Sequence, residues 1–197
     1  MKKKFVCGLG LCALLLGGCV VQSIQPLFNE KDYAAYPLAG TWTQKDEGKE
    51  KGLWVFETAG KLYKLTQTDE KGRKAVFAVT AGKIGTNVFL DFTPTLDSSD
   101  QVPGGEVNDF FAANVIPAHI FTKVVPTNGA MSLVAMDYEW LAELLEKNPK
   151  AIAHVIQDKR PILTASTEEL QKFVAKYAND EKVFKSDILL VPKKATP

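Results

Sequence analysis

Apolar residues come in two patterns along this chain. The first is a nearly unbroken run from Phe5 to Leu16 behind Met1-Lys2-Lys3-Lys4. A spanning helix needs about 20 apolar residues, so this run is too short to cross a bilayer. A basic head followed by a short apolar run is the layout of a secretory signal. The second pattern starts after residue 37 and consists of short β-type runs. Leu53-Trp54-Val55-Phe56 is one, and Lys61 to Thr66 alternates, with Tyr63 and Leu65 opposite Lys64. Ala75–Val79 and Asn87–Phe92 follow, then His119–Val125, Met131–Met136 and Asp187–Val191. Polar or glycine-bearing turns separate them at Gln44–Lys51, Asp69–Gly72, Gly82–Gly85 and Pro126–Gly129.

Two segments change to a helical period. Asp137 is placed to cap a helix from Tyr138 to Lys147, which Asn148-Pro149 ends. Ser166-Thr167-Glu168-Glu169 has capping-box spacing, and Leu170, Phe173, Val174 and Tyr177 behind it share one helical face. His154-Val155-Ile156 and Ile162-Leu163-Thr164 are short strand candidates between the helices. The stretch from Thr93 to Pro117 breaks the rhythm. It reads as a loop followed by a short helix from Asn108 to Val115, and a connection this long often serves as a lid. The expected fold is mainly β with flanking helices: an antiparallel barrel or meander. The alternative is an open antiparallel sheet with the helices packed on it.

Leu16-Gly17-Gly18-Cys19 closes the apolar run. It resembles the lipobox of bacterial lipoproteins, where a large aliphatic residue and two small ones precede a cysteine. The small residues let the chain lie extended in a peptidase cleft, and the thiol accepts a diacylglyceryl group. The resemblance implies removal of residues 1–18 and anchoring to a membrane through acyl chains on Cys19. Several chains anchor stably where one binds only marginally. Val20 follows the cysteine, with no aspartate as an inner-membrane retention signal, so a cell-envelope location is expected, in the outer membrane where there are two. Residues 19–37 read as the lipidated cysteine and a tether on which Leu27-Phe28 and Tyr33–Tyr36 can dock. Residues 38–192 read as one β-rich domain and 193–197 as a flexible tail.

Processing changes what composition allows. Of 24 basic residues, Lys2, Lys3 and Lys4 leave with the signal, so the 23 acidic ones come to exceed the remainder slightly. Cys7 and Cys12 leave too, and acylation occupies Cys19, which excludes disulfides, thiol catalysis and cysteine-based zinc sites. Arg73 and Arg160 are the only arginines. A near-neutral, arginine-poor chain argues against nucleic acid as a partner.

Gly40-Thr41-Trp42 at the entry to the meander resembles the Gly-x-Trp signature of lipocalins. These are eight-stranded barrels that bind small apolar ligands, with the tryptophan plugging the closed end. Asp137-Tyr138 partly echoes a second lipocalin motif, although no arginine lies near the final strand to pack on Trp42. Gly40-Thr41-Trp42, Leu62-Tyr63, Phe89–Pro94, His119-x-Phe121 and Leu163–Leu170 also follow an order similar to that in a group of bacterial lipoproteins of unassigned function. That likeness implies a shared fold and no activity.

No catalytic, metal or cofactor motif stands out: there is no His-Glu-x-x-His, Gly-x-Ser-x-Gly, phosphate loop or dinucleotide fingerprint. Either of the two histidines, His119 and His154, would act as a base only if a carboxylate such as Asp91 or Asp137 oriented it. Asp91 alternates with Phe89 against Val88, Leu90 and Phe92, which places it outward or at a turn. The acidic residues Asp97, Asp100, Glu106 and Asp109 fail calcium-loop spacing. The aromatics Trp54, Phe56, Tyr63, Phe77 and Phe121 are candidates to line a ligand cavity, or else to be core. The sequence thus favours a membrane-anchored module that binds an apolar or amphipathic small molecule. A structural protein with a filled core and an envelope-protein partner is the alternative, and an enzyme ranks below both.

Overall fold

The computed structural model describes residues 20–95, 113 and 115–193. Strands β1 (Gln22–Ser23), β2 (Gly40–Asp46), β3 (Lys49–Ala59), β4 (Leu62–Asp69), β5 (Lys74–Ile84) and β6 (Asn87–Pro94) come first. They are followed by β7 (Ile120–Thr127), β8 (Ala130–Met136), helix α1 (Tyr138–Lys147), β9 (His154–Gln157), β10 (Arg160–Leu163), helix α2 (Thr167–Tyr177) and β11 (Phe184–Pro192). Strands β2 to β8 form an antiparallel meander, and β11 pairs with both β2 and β8 to close an eight-stranded barrel. The sheet is therefore not open. β1, β10 and β9 form a small separate sheet beside it.

Two strands run further than their polarity suggests. Gln44 to Lys51 reads as a turn, yet β2 continues to Asp46 and β3 starts at Lys49, so only Glu47 and Gly48 turn. Cross-strand pairing of Lys45 with Glu50 holds these polar residues in register. Gly82 likewise reads as a turn residue but lies inside β5, opposite Phe89. A Cβ there would come within 2.6 Å of the Phe28 ring, so glycine is needed for close approach and not for a bend. The short helix expected near Asn108 and the acidic residues Asp97 to Asp109 lie outside the described residues.

Two apolar cores share the barrel wall. Inside are Trp54, Phe56, Leu65, Val79, Leu90, Phe92, Leu133 and Leu190, with Leu38. Outside, Phe89, Phe121, Val134 and Phe184 pack beneath Leu141, Leu145, Leu170, Phe173 and Val174 of the two helices. The caps read from sequence are in place: Asp137 accepts from Trp140 N at 2.7 Å, and Ser166 and Glu169 form a reciprocal box.

The stretch from Val20 to Leu38 joins both cores. It starts at Val20, bridged to Asp137 just beyond β8, and Ser23 then pairs with His119 just before β7. Leu27 and Phe28 are buried on the outer wall, Tyr33 bridges to Gly82, and Ala34 N donates to Ala81 O at 2.8 Å. Finally Leu38 enters the barrel core at the opposite end. The segment is a strap laid down the wall, docked through its apolar residues as Leu27-Phe28 and Tyr33–Tyr36 suggest.

Candidate functional site

The barrel has two unlike ends. One carries the turns after β3, β5 and β7, and the strap closes it. Trp42 Nε1 donates to Leu38 O at 3.0 Å, the Tyr63 hydroxyl donates to Tyr36 O, and Leu38 is fully buried beneath. Burial raises the Tyr36 phenol above its ordinary value of 10.0. The other end carries the long connection from β6 to β7. Near it Trp54 and Phe92 meet edge to face, with ring centroids 6.2 Å apart, and Trp54 Nε1 donates to Gln44 Oε1 at 3.2 Å.

The candidate lining residues separate. Trp54 and Phe56 belong to the barrel interior, and Tyr63 and Phe77 pack against it half-buried. Phe121 faces the other way, into the core beneath the helices. The sequence could not choose its side, because Ile120, Thr122 and Val124 alternate with Phe121, Lys123 and Val125, and both faces include apolar residues. The interior is nearly free of solvent: Leu65, Val79, Leu90, Leu133 and Leu190 are each 0–1% exposed.

One interior residue went unnoticed in the sequence. Thr122 lies opposite Leu90 and Ala135 on the inward face of β7, and its hydroxyl is buried with no hydrogen-bond partner. A buried unmet hydroxyl costs about 1–3 kcal/mol, and natural interiors contain few of them. The chain matches no protein-family model, no curated protein and no solved structure. Any assignment therefore rests on the sequence motifs and the geometry.

The second polar cluster is on the outer wall. Asp91 does point outward, with Phe89, but the strap buries it to 2% exposure. His119 Nδ1 lies 3.0 and 3.2 Å from its two carboxylate oxygens, and Leu27 N donates to Oδ2 at 2.7 Å. Thr93 Oγ1 is 2.9 Å from the same Nδ1. In a nucleophile–histidine–acid relay the hydroxyl and the carboxylate sit on different ring nitrogens. Here one nitrogen serves both, so the cluster is built to fasten the strap. Tyr33 lies alongside, and its phenol is raised by burial first and then by the Glu30 and Asp91 charges.

The other histidine does not join a carboxylate in this way. His154 Nδ1 donates to Ile152 O at 3.0 Å, while Asp137 is engaged by the α1 cap and by Lys185 at 3.0 Å. The contributions of Leu27 N, Thr93 and the Ser23 backbone had no signal in the sequence, because they depend on where the strap lies.

Proposed function

We propose that the protein is a bacterial lipoprotein anchored through Cys19, and that its barrel takes a small apolar molecule bearing one hydrogen-bonding group. The observation behind this reading is the unmet Thr122 hydroxyl within the apolar interior of a barrel sealed at one end. Eight-stranded barrels are just wide enough to be filled by side chains or to hold one small ligand. A ligand polar atom meeting Thr122 would relieve the cost of the unpaired hydroxyl. Entry would be from the end bearing the β6–β7 connection, past Trp54 and Phe92.

The near-zero exposure of Leu65, Val79, Leu90 and Leu190 favours a second reading, a filled barrel that serves as a scaffold for contacts with another envelope component. Native mass spectrometry of residues 20–197, which retain the whole strap, separates the two. The binding reading expects a reproducible extra mass that disappears on denaturation and is depleted in Thr122→Val. A clean mass from cells, with no shift on incubation with fatty acids or sterols, would sink it in favour of the scaffold.

A further inference from the structure

The start of the strap fixes where an anchor must leave the domain. Val20 is bridged to Asp137, Val21 is buried, and Ser23 is fully buried and hydrogen-bonded to His119 in both directions. Cys19 precedes Val20 by one peptide, about 3.8 Å between Cα atoms. No slack chain separates the acyl-bearing position from the folded body.

The neighbouring surface sets the apolar Ile162 and Val155 among the polar Gln22, Gln157 and Arg160. β1 runs parallel to β10, with Gln22 opposite Ile162, and β10 pairs antiparallel with β9, with Ile162 opposite Val155. Gln22, Ile162 and Val155 therefore share one face of the small sheet, and by period-two alternation Val20 does too. Among the described residues, the exposed large hydrophobic side chains are Ile116, Val125, Val155 and Ile156; the last two are adjacent on the β9 edge at 49% and 61% exposure, Val155 on the Gln22–Ile162 face and Ile156 on the opposite one. β9 pairs with β10 on one side and is the outer strand of its sheet. Val20 lies two residues before Gln22, and Val155 is two strand spacings away, which puts the start of the strap roughly 12 Å from Val155. An exposed apolar edge strand is an association hazard unless something covers it.

We infer that a lipid bilayer covers it: the β1–β10–β9 face and the β9 edge rest on the membrane, and the domain lies flush instead of swinging on a tether. The occupant follows from where the chain leads, since the acyl chains enter the lipid beside this face. The Asp137 end of β8 is also the barrel end that bears the β6–β7 connection, so that end is held at the lipid surface. This inference rests on the Cys19 anchor and is independent of whether the barrel holds a ligand.

The test uses the full-length chain, exported and processed by a bacterial host, then placed in phosphatidylethanolamine–phosphatidylglycerol vesicles. Cys7 and Cys12 leave with the signal and the Cys19 thiol is acylated, so one introduced cysteine is the only labelling site. Val155→Cys reports on the proposed face, and Lys61→Cys reports on the turn after β3 at the sealed end. Each carries an environment-sensitive fluorophore, and the quencher is a lipid with a nitroxide on its acyl chain. Quenching at 155 is expected to exceed that at 61 several-fold. Equal quenching at both positions on a protein whose intact mass shows acylation would overturn the flush orientation and leave the anchor standing. An intact mass without acyl chains would overturn the anchor reading, and this inference with it.

Discussion

The barrel interior and the outer core beneath the strap are two sides of one wall, and they solve different problems. The interior is assembled from neighbours in sequence: Trp54, Phe56, Leu65, Val79, Leu90 and Phe92 come from consecutive hairpins. Its polar groups are few, and the Thr122 hydroxyl is left unmet. The outer core joins segments far apart in the chain, such as Leu27, Phe121, Leu163 and Phe173, and buries a carboxylate beside a histidine. There the carboxylate is met, because the Leu27 N–H and the His119 ring converge on Asp91, although the Thr80 hydroxyl opposite it is buried without a partner. The contrast separates two uses of buried polarity. On the outside it fixes one alignment of the strap. On the inside it leaves an opening for chemistry that the chain does not supply.

The sharpest way to break this comparison is Asp91→Ala. It strips the acceptor from Leu27 N and from His119 within a buried site. Leaving a buried donor without its acceptor costs about 1–3 kcal/mol, and here two donors lose theirs. The denaturant midpoint should fall accordingly, and protease should cut within residues 20–38 before the barrel opens. Asp91→Asn, which keeps an acceptor oxygen, should lose less. If Asp91→Ala behaved like an exposed substitution, the outer cluster would not be what fastens the strap.

Thr122→Val probes the other side of the wall. The two side chains are close in shape, so the change mainly deletes a hydroxyl with no partner. Without ligand, stability should rise by about 1–3 kcal/mol, the cost of an unmet buried polar group. A gain in stability together with lost ligand mass would tie the hydroxyl to binding. A loss of stability would show that Thr122 is satisfied within the fold and would remove the main support for a ligand.

What the sequence made legible follows the same division. Alternation in Lys61–Thr66 and in Asn87–Phe92 is enough to place the meander, because each strand meets its neighbour through a short turn. The helix caps at Asp137 and Ser166 were equally plain, being local motifs. Closure was less accessible, since it depends on β11 reaching across to β2 about 145 residues earlier. The side taken by Phe121 was hidden because the helices make the outer face of β7 as apolar as the inner one. The Asp91–His119 contact was conceivable from the residue types, but its purpose was not, because that depends on the Leu27 amide arriving with the strap. Gly82 misled in the same way: its lack of a side chain serves Phe28, a partner 54 positions away in the chain.

The smallest expected effect tests whether the helical cover is tuned by charge as well as by packing. Glu169 accepts from Ser166 Oγ at 2.9 Å and from Ser166 N at 3.1 Å, at the first turn of α2. The Ser166 hydroxyl, then its backbone N–H, holds the Glu169 carboxyl below its ordinary value of 4.5. A carboxylate depressed in the folded state contributes stability that is present above its unfolded value. That contribution is lost as pH falls through the depressed folded value. Thermal melts from neutral pH into acid should therefore show wild type losing stability faster than Glu169→Gln across that window, with the two converging once both side chains are neutral. Ser166→Ala should cost about 1 kcal/mol near neutral pH, as loss of an N-cap does, and should remove most of the Glu169 pH dependence. Matching acid profiles for wild type and Glu169→Gln would mean that packing of Leu170, Phe173 and Val174 alone holds α2 over the barrel.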